Sequence, residues 1–584
     1  MAQRAQWGST VGFILAAAGS AVGLGNIWRF PYTTGENGGG AFVLVYLICV
    51  ALVGLPIMMS EIMIGRAAQR QPVAAFHALQ GRKSAWAGIG WLGVVAGFII
   101  GSFYIVVAGW AMDYTLKSVT SFTTGIADTA RVEAMQYRAE TTLESMRLTL
   151  IEHDVARGMS DIERAHTGEV APSAWQAFQD YNAVLATTPD RDRAARQLLD
   201  DAELKANIDA ARIVQDRIDV DRRALDSQVR ADIGALSDAD VRKRAEDLFR
   251  RQKIRESTNT AFGALASDGW MSLFWTLLFM LLTMGIVFAG ISGGIEKACL
   301  ILMPALFILM GVLVVYGMFT SGFAEAMSFV FKPDFHKMRP SSFLEALGQA
   351  FFSLSLGMGA MITYGSYQRT KKGLAGQASL IAGLDTLVAL LACMMIFPIA
   401  FTFGQSPEAG PGLVFQAMPL AFAEIGPAGT LLGTMFFGLL VFAALTSSIS
   451  ILEVVASYFI DERNWSRPRA VLIVGGLMFL LSIPTAFDAD PDLQFDGWHA
   501  GYGQGFLDSV SFLSSNWMLP AGGFLISIYA GWVMPARLRA AEVEGMAPAI
   551  FMAWLVLARF IAPLLVILVL LDQFGVLQVD EWFR

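Results

Sequence analysis

The chain has 584 residues, 55% of them hydrophobic and only 16% charged. A soluble enzyme of this size would carry about 25% charged residues, so the composition excludes a soluble globular class and points to a membrane protein. The net charge of −8 does not set orientation, which depends on where Lys and Arg fall rather than on their sum.

The first apolar segment, near 11–34, follows an N-terminus without a cleavable signal pattern and reads as a mature span. It is broken at mid-depth by the run Gly19-Ser-Ala-Val-Gly-Leu-Gly-Asn-Ile-Trp-Arg-Phe-Pro31, with Gly19, Gly23, Gly25, Asn26 and Arg29 inside it. Unpaired backbone at membrane depth is tolerated only where it lines a protected cavity. A glycine-interrupted helix with polar side chains therefore reads as a binding site on an unwound helix, and the protein as a solute carrier.

Ten more segments are long enough to cross, near 40–64, 86–115, 270–290, 298–321, 342–368, 377–404, 428–459, 468–486, 507–533 and 549–572. Arg66, Arg70, Arg82, Lys83, Lys297, Arg369, Lys371, Lys372, Arg463, Arg467, Arg469, Arg537 and Arg539 then share one side with the N-terminus, which the positive-inside tendency makes cytoplasmic. Asp488, Asp490, Asp492 and Asp496 collect on the other side, with the C-terminus. These spans divide the chain into 1–116, a charged insert at 117–268, and 269–584.

Within the insert, Ile208, Ala211, Ile218, Leu225, Val229, Ile233 and Leu236 recur at helical intervals, predicting long amphipathic helices. By topology the insert is external. A solvated helical cap and a partner-binding domain both fit it, with the partner unknown. His153 and His166 lack metal-site spacing, and no continuous basic patch for nucleic acid appears. Cys49, Cys299 and Cys393 all lie in apolar runs and read as packing.

A second interruption, Gly348-Gln-Ala-Phe-Phe-Ser-Leu-Ser-Leu-Gly-Met-Gly359, lies five spans after the first. Paired interruptions predict an inverted repeat, spans one to five matching six to ten. The expected fold is an all-α polytopic membrane protein of inverted five-helix repeats with broken first and sixth helices. About 11 transmembrane helices and the helical insert complete it.

The blocks AVGLGNIWRFP, ENGGGAF (36–42), SLSLGMGAMITYGSY (353–367) and LTSSISILE (445–453) occur in order. With them the chain resembles the neurotransmitter:sodium symporter family, over all spans except the insert. The resemblance implies two sodium sites. One would use the Ala21 carbonyl, the Asn26 amide, the Ser353 hydroxyl and the Asp385 carboxylate. The other would use the carbonyls of Gly19, Val22 and Ala443 with the hydroxyls of Thr446 and Ser447. Asp385 stands where a leucine-carrying member has an amide, and its negative charge beside sodium would make external chloride unnecessary.

By the same resemblance the substrate lies between the two breaks. Backbone N–H groups near Leu24 and Gly25, with the Tyr104 hydroxyl, would receive a carboxylate. Carbonyls of Ala21, Phe352, Ser353 and Ser355 would receive an ammonium. Monoamine carriers have an aspartate where this chain has Gly23, so amino acids are expected rather than amines. Ile100, Tyr104, Phe352, Met358 and Ile451 would form an apolar pocket for hydrophobic or aromatic side chains, Met358 lending it adaptability.

The outer gate would join Arg29 and Phe352 to Gln349 and Tyr104. The family's acidic partner for the arginine is replaced by Ser511, leaving Asp508, one turn earlier, as the candidate. Arg4, Trp7, Ser366, Tyr367 and Asp461 match the inner closing network.

No phosphate-binding loop argues for ATP-driven transport, and no nucleophile with a paired base argues for an enzyme. The predicted activity is sodium-coupled amino-acid import by alternating access at a bacterial inner membrane. Two readings share the fold: a sensor signalling through its insert, and a proton-coupled carrier using Asp385 or Glu61.

Overall fold

The computed structural model describes residues 6–573 apart from 121, 168–171, 188–201, 336–337, 340, 369–372, 406, 408–412, 489 and 491–504. Arg4, Arg369, Lys371, Lys372, Asp492 and Asp496 therefore lie outside the described residues. The described chain is helical throughout and falls into two compact units, Met1–Ile126 with Ser257–Arg584, and Ala127–Glu256.

In the first unit α1 (Thr10–Ala21) starts at Ser9, whose hydroxyl accepts the Gly12 N–H as an N-cap. It ends where Gly23 and Gly25 remove the side chains that would hold a helical turn, and α2 (Gly25–Glu36) resumes at 48° to it. α3 (Gly40–Ala68), α4 (Pro72–Gln80) and α5 (Ala87–Val119) follow.

The second unit, described by itself, holds most of α6 (Phe122–Glu140) and α10 (Asp238–Ser267), together with α7 (Leu143–Thr167), α8 (Pro172–Thr187) and α9 (Ala202–Gly234). Met146 and Leu150 of α7 pack against Ile233 of α9 and Val241 of α10, and Phe178 and Tyr181 of α8 against Ile208 and Ala211 of α9. Ile208, Ala211, Ile218 and Ile233, four of the periodic residues, are buried. His153 and His166 bond Asp154 and Asp221.

The first unit resumes with α11 (Gly269–Phe288), α12 (Ile291–Met318), α13 (Phe323–Phe331), α14 (Ser341–Ser353) and α15 (Ala360–Gly365). Next come α16 (Leu374–Thr402), α17 (Leu413–Ile425), α18 (Pro427–Arg463) and α19 (Arg467–Ala486). α20 (Phe506–Val533), α21 (Ala536–Glu542, turned by 105°) and α22 (Pro548–Leu571) complete it.

Among the described residues eight helices are long and apolar enough to cross a membrane, or up to 10 with each bent pair taken as one span. The segment expected as the broken sixth span consists of two helices of 13 and 6 residues, each too short to cross alone. The turns between them use positive φ at Ser355 (52°), Gly357 (83°) and Gly359 (79°). Glycine takes this region freely; Ser355 does not, and it holds there only because its surroundings fix it.

α18 lies along α5 at the centre, with α1, α11, α12 and α19 around it. α15 packs backbone-to-backbone on α3: a Cβ on Gly65 would sit 2.0 Å from the Ile362 carbonyl oxygen, and one on Gly365 2.8 Å from that of Ile62. Such approach between spans depends on small residues. Asp488 and Asp490, read from sequence as outer-side charge, accept backbone N–H groups of Phe506 and Leu507 and of Gly269 at helix starts.

Candidate binding site at the two helix breaks

The last carbonyls of a helix lack intrahelical partners, and α1 shows where they go. The Gly23 N–H donates to Asn26 Oδ1 (3.1 Å) and the Leu24 N–H to the Tyr104 hydroxyl (3.1 Å), so neither returns to the carbonyls of Gly19 or Ser20. Those oxygens turn to α18. Ser447 Oγ lies 3.3 Å from Gly19 O, 3.2 Å from Ser20 O and 3.5 Å from Val22 O. Thr446 Oγ1 lies 3.0 Å from Ala443 O and 3.5 Å from Val22 O. The five oxygen donors expected for one sodium thus converge, all on buried residues.

The other expected set gathers around Asp385 of α16. Asn26 Nδ2 donates to Asp385 Oδ1 (2.7 Å) and to Ser353 Oγ (3.0 Å). Ser353 Oγ lies 2.8 and 2.7 Å from the two Asp385 oxygens, and the Tyr46 hydroxyl donates to Oδ2 at 3.1 Å. Tyr46, unremarked in the sequence, closes this cluster from α3. Ala21 lies buried at the end of α1, beside the break. Hard cations prefer several oxygen ligands; the second cluster offers those of Ser353, Asp385 and Tyr46, while Asn26 turns its Nδ2 rather than its Oδ1 toward them. Among the described residues no group of three or more His, Cys, Asp and Glu side chains could hold a metal ion.

The breaks are joined directly. Ser355 Oγ donates to Ser20 O at 2.7 Å, and Gln349 Nε2 to Gly25 O at 2.8 Å. Ile100, Tyr104, Met358 and Ile451 are buried, and Phe352 is half-buried over Gly25, where an added Cβ would lie 2.9 Å from its ring. At Gly23 a Cβ would meet Ser447 Oγ at 2.4 Å and the Tyr104 hydroxyl at 2.7 Å, so the site has no room for a side chain there.

On the outer side the Arg29 guanidinium sits 5.1 Å from the Phe352 ring centroid. Among the described residues it makes no ion pair, so the anticipated pairing with Asp508 is not formed. Asp508 lies in the first turn of α20, where a carboxylate suits the helix dipole.

On the inner side Trp7 Nε1 donates to Tyr364 O (2.9 Å) and the Trp7 N–H to Tyr367 O (3.2 Å). Ser366 Oγ donates to Thr363 O, and Asp461 Oδ2 accepts the Gln71 N–H at 3.3 Å. The Tyr367 hydroxyl donates to Glu453 Oε1 at 2.6 Å, and Arg467 bonds both Glu453 oxygens at 2.7 and 2.9 Å. Sequence reading missed Glu453, although an acid within a span is a functional signal by default. It missed Glu296 too, whose carboxylate accepts the Gly8 N–H (2.7 Å) and the Ser9 hydroxyl (2.9 Å).

The sequence profile of the Sodium:neurotransmitter symporter family matches residues 4–147 and 228–579. The chain belongs to this family. It is accordingly an integral membrane transporter of the secondary, sodium-dependent kind rather than an enzyme. It is 29% identical to the sodium-dependent transporter YhdH of Bacillus subtilis over 582 residues, covering 98% of each chain. It is 27% identical to a sodium-dependent transporter of Haemophilus influenzae, again over 98% of each. The crystal structure of MhsT in complex with L-phenylalanine superposes with a TM-score of 0.70 at 34% identity, covering 97% of this chain and 99% of that one. Residues 148–227, within the second unit, fall outside the family profile.

Proposed function

We propose that this transporter imports hydrophobic or aromatic amino acids together with sodium, by alternating access about the two helix breaks. The observation that carries the reading is the convergence of α1 carbonyls with Thr446 and Ser447 on one side of the break and of Asn26, Ser353 and Asp385 on the other. The solved relative holds L-phenylalanine, and the side-chain-free wall at Gly23 leaves any carboxylate to be brought by the substrate itself.

Two sodium ions occupy these oxygen sets, and the Asp385 carboxylate replaces chloride beside the first. The Leu24–Gly25 turn and Tyr104 hold the substrate carboxylate, and the carbonyls of Ala21, Phe352, Ser353 and Ser355 its ammonium. Ile100, Met358 and Ile451 surround its side chain. Arg29, Phe352 and Gln349 close the outer path. Trp7, Tyr367, Glu453 and Arg467 close the inner one, and Arg4, Ser366 and Asp461 take part in the same closing network. Cation and substrate then bias one equilibrium between outward-open and inward-open states. The N-terminus faces the cytoplasm of a bacterial cell; the insert and C-terminus face outward.

The test is uptake of radiolabelled phenylalanine, tryptophan, tyrosine and leucine into proteoliposomes. The expected result is accumulation driven by an inward sodium gradient and unchanged when gluconate replaces chloride. Accumulation driven by a proton gradient without sodium, or saturable binding without accumulation in tight vesicles, would overturn the reading.

A further inference from the structure

Two arginines meet at one carbonyl where α20 ends. Arg539 Nη1 donates to Gly531 O at 2.6 Å and to Ala530 O at 3.1 Å, and Arg559 Nε donates to the same Gly531 O at 2.7 Å. Arg539 is only 8% exposed, and Arg559 is half-buried on the apolar helix α22 where it meets the end of α20. Among the described residues neither forms an ion pair with a carboxylate, and Glu542 on the same short helix as Arg539 is engaged by Arg66 at 3.1 Å.

Simple capping of α20 accounts for part of this. The carboxyl end of a helix offers about half a negative charge, so it offsets only part of the two positive charges gathered there. A charge within a span is costly unless paired. Arg559 spends only its Nε on the protein; its two terminal nitrogens have no hydrogen-bond partner among the described residues. A Cβ at Gly531 would lie 2.9 Å from Arg559 Cγ, so glycine there is what lets the arginine reach the carbonyl.

The surroundings identify the missing anion. The Arg559 guanidinium stands 5.0 Å from the Trp532 ring centroid, and Trp532 packs edge-on to Phe560 at 5.4 Å. Trp532 and Phe560 are 53% and 54% exposed, and Met552, Val556 and Leu564 of α22 are similarly open, the profile of a surface covered by acyl chains. Both guanidinium groups reach the last carbonyls of α20, beside Trp532 at the end of that span, and tryptophan at a span end prefers the level of the lipid headgroups, where phosphates lie. A soluble anion would gain nothing from the apolar rim.

We propose that Arg539 and Arg559, framed by Trp532, form a binding site for the phosphate of an anionic phospholipid. The lipid comes from the leaflet on the side of the loop joining α20 and α22, which is cytoplasmic in the topology proposed above. The phosphate pairs with the free nitrogens of Arg559 and screens Arg539, fixing the junction of the last two spans.

The test uses the purified full-length protein, delipidated in detergent and titrated separately with phosphatidylglycerol, phosphatidylcholine and inorganic phosphate. Native mass spectrometry reads bound adducts, and the melting temperature reads stabilisation. The expected result is retention of phosphatidylglycerol over phosphatidylcholine, with R559Q about fivefold weaker, given about 1 kcal/mol for each basic residue near an anionic surface, and R537Q unchanged. Equal binding of both lipids, undiminished binding by R559Q, or saturation by inorganic phosphate alone would overturn the proposal. If R559Q fails to fold, the three-way comparison on the unaltered protein decides it alone.

Discussion

Asp385 shows how much one side chain organises. It receives Asn26, Ser353 and Tyr46 from three other helices, so it draws both breaks and α3 to one point of α16. Asp385→Asn keeps the size and removes the charge. The expected outcome is roughly tenfold weaker apparent sodium affinity, the effect of about 1.4 kcal/mol lost from a charge-assisted contact, and uptake that now requires chloride. Sodium titration of phenylalanine uptake in chloride and in gluconate measures both. Unchanged chloride independence in the variant would remove Asp385 from that role.

At the scale of elements, the inner ends of α15, α18 and α19 are held by Tyr367, Glu453 and Arg467. Glu453 is fully buried while Arg467 keeps 20% exposure, so the two are unequal to lose. Arg467→Ala strands a buried carboxylate, a loss of about 3–5 kcal/mol. Glu453→Gln leaves an arginine that can reach water and a side chain that still accepts from Tyr367. The melting temperature should therefore fall further in the arginine variant, and the reverse order would show that the pair is not what holds these ends.

The element scale also shows where sequence reading stopped. The breaks were legible because glycine, proline and stray polar residues in an apolar run are costly wherever the helix continues unbroken, and Asn26, Ser353, Asp385, Thr446 and Ser447 stand beside them. The Glu453–Arg467 pair was not, since Arg467 read only as a loop charge used for orientation. The grip of Glu296 on Gly8 and Ser9 joins residues 288 and 287 positions apart, a pairing no local pattern encodes. Helical spacing offers Asp508 to Arg29, yet a carboxylate in a first turn already has the helix dipole to answer, and the arginine meets an aromatic face.

At the scale of the whole molecule, the transport fold and the insert are separate problems. The second unit has its own apolar clusters, and residues 148–227 lie outside the family profile. α7 and α9 lie side by side within it, with the Arg147 guanidinium 3.3 Å from the carbonyls of Gly234 and Leu236. Replacing 148–227 by a short Gly-Ser linker should leave sodium-driven uptake within about twofold, because a hairpin truncated between packed helices keeps its closing contacts. Loss of uptake by a variant that still folds and reaches the membrane would tie the insert to transport itself.

Asp385 finally decides how the carrier answers an electric field. On the proposed reading, the loaded site carries two sodium ions, a zwitterion and one fixed carboxylate, for a net charge of plus one. The empty site retains the carboxylate alone and is negative by one. An interior-negative potential then draws the loaded carrier inward and also drives the empty one back, each elementary charge being worth about 2.3 kcal/mol per 100 mV of field crossed. Voltage is shared between the two half-cycles, and neither the loaded step nor the return is electrically silent.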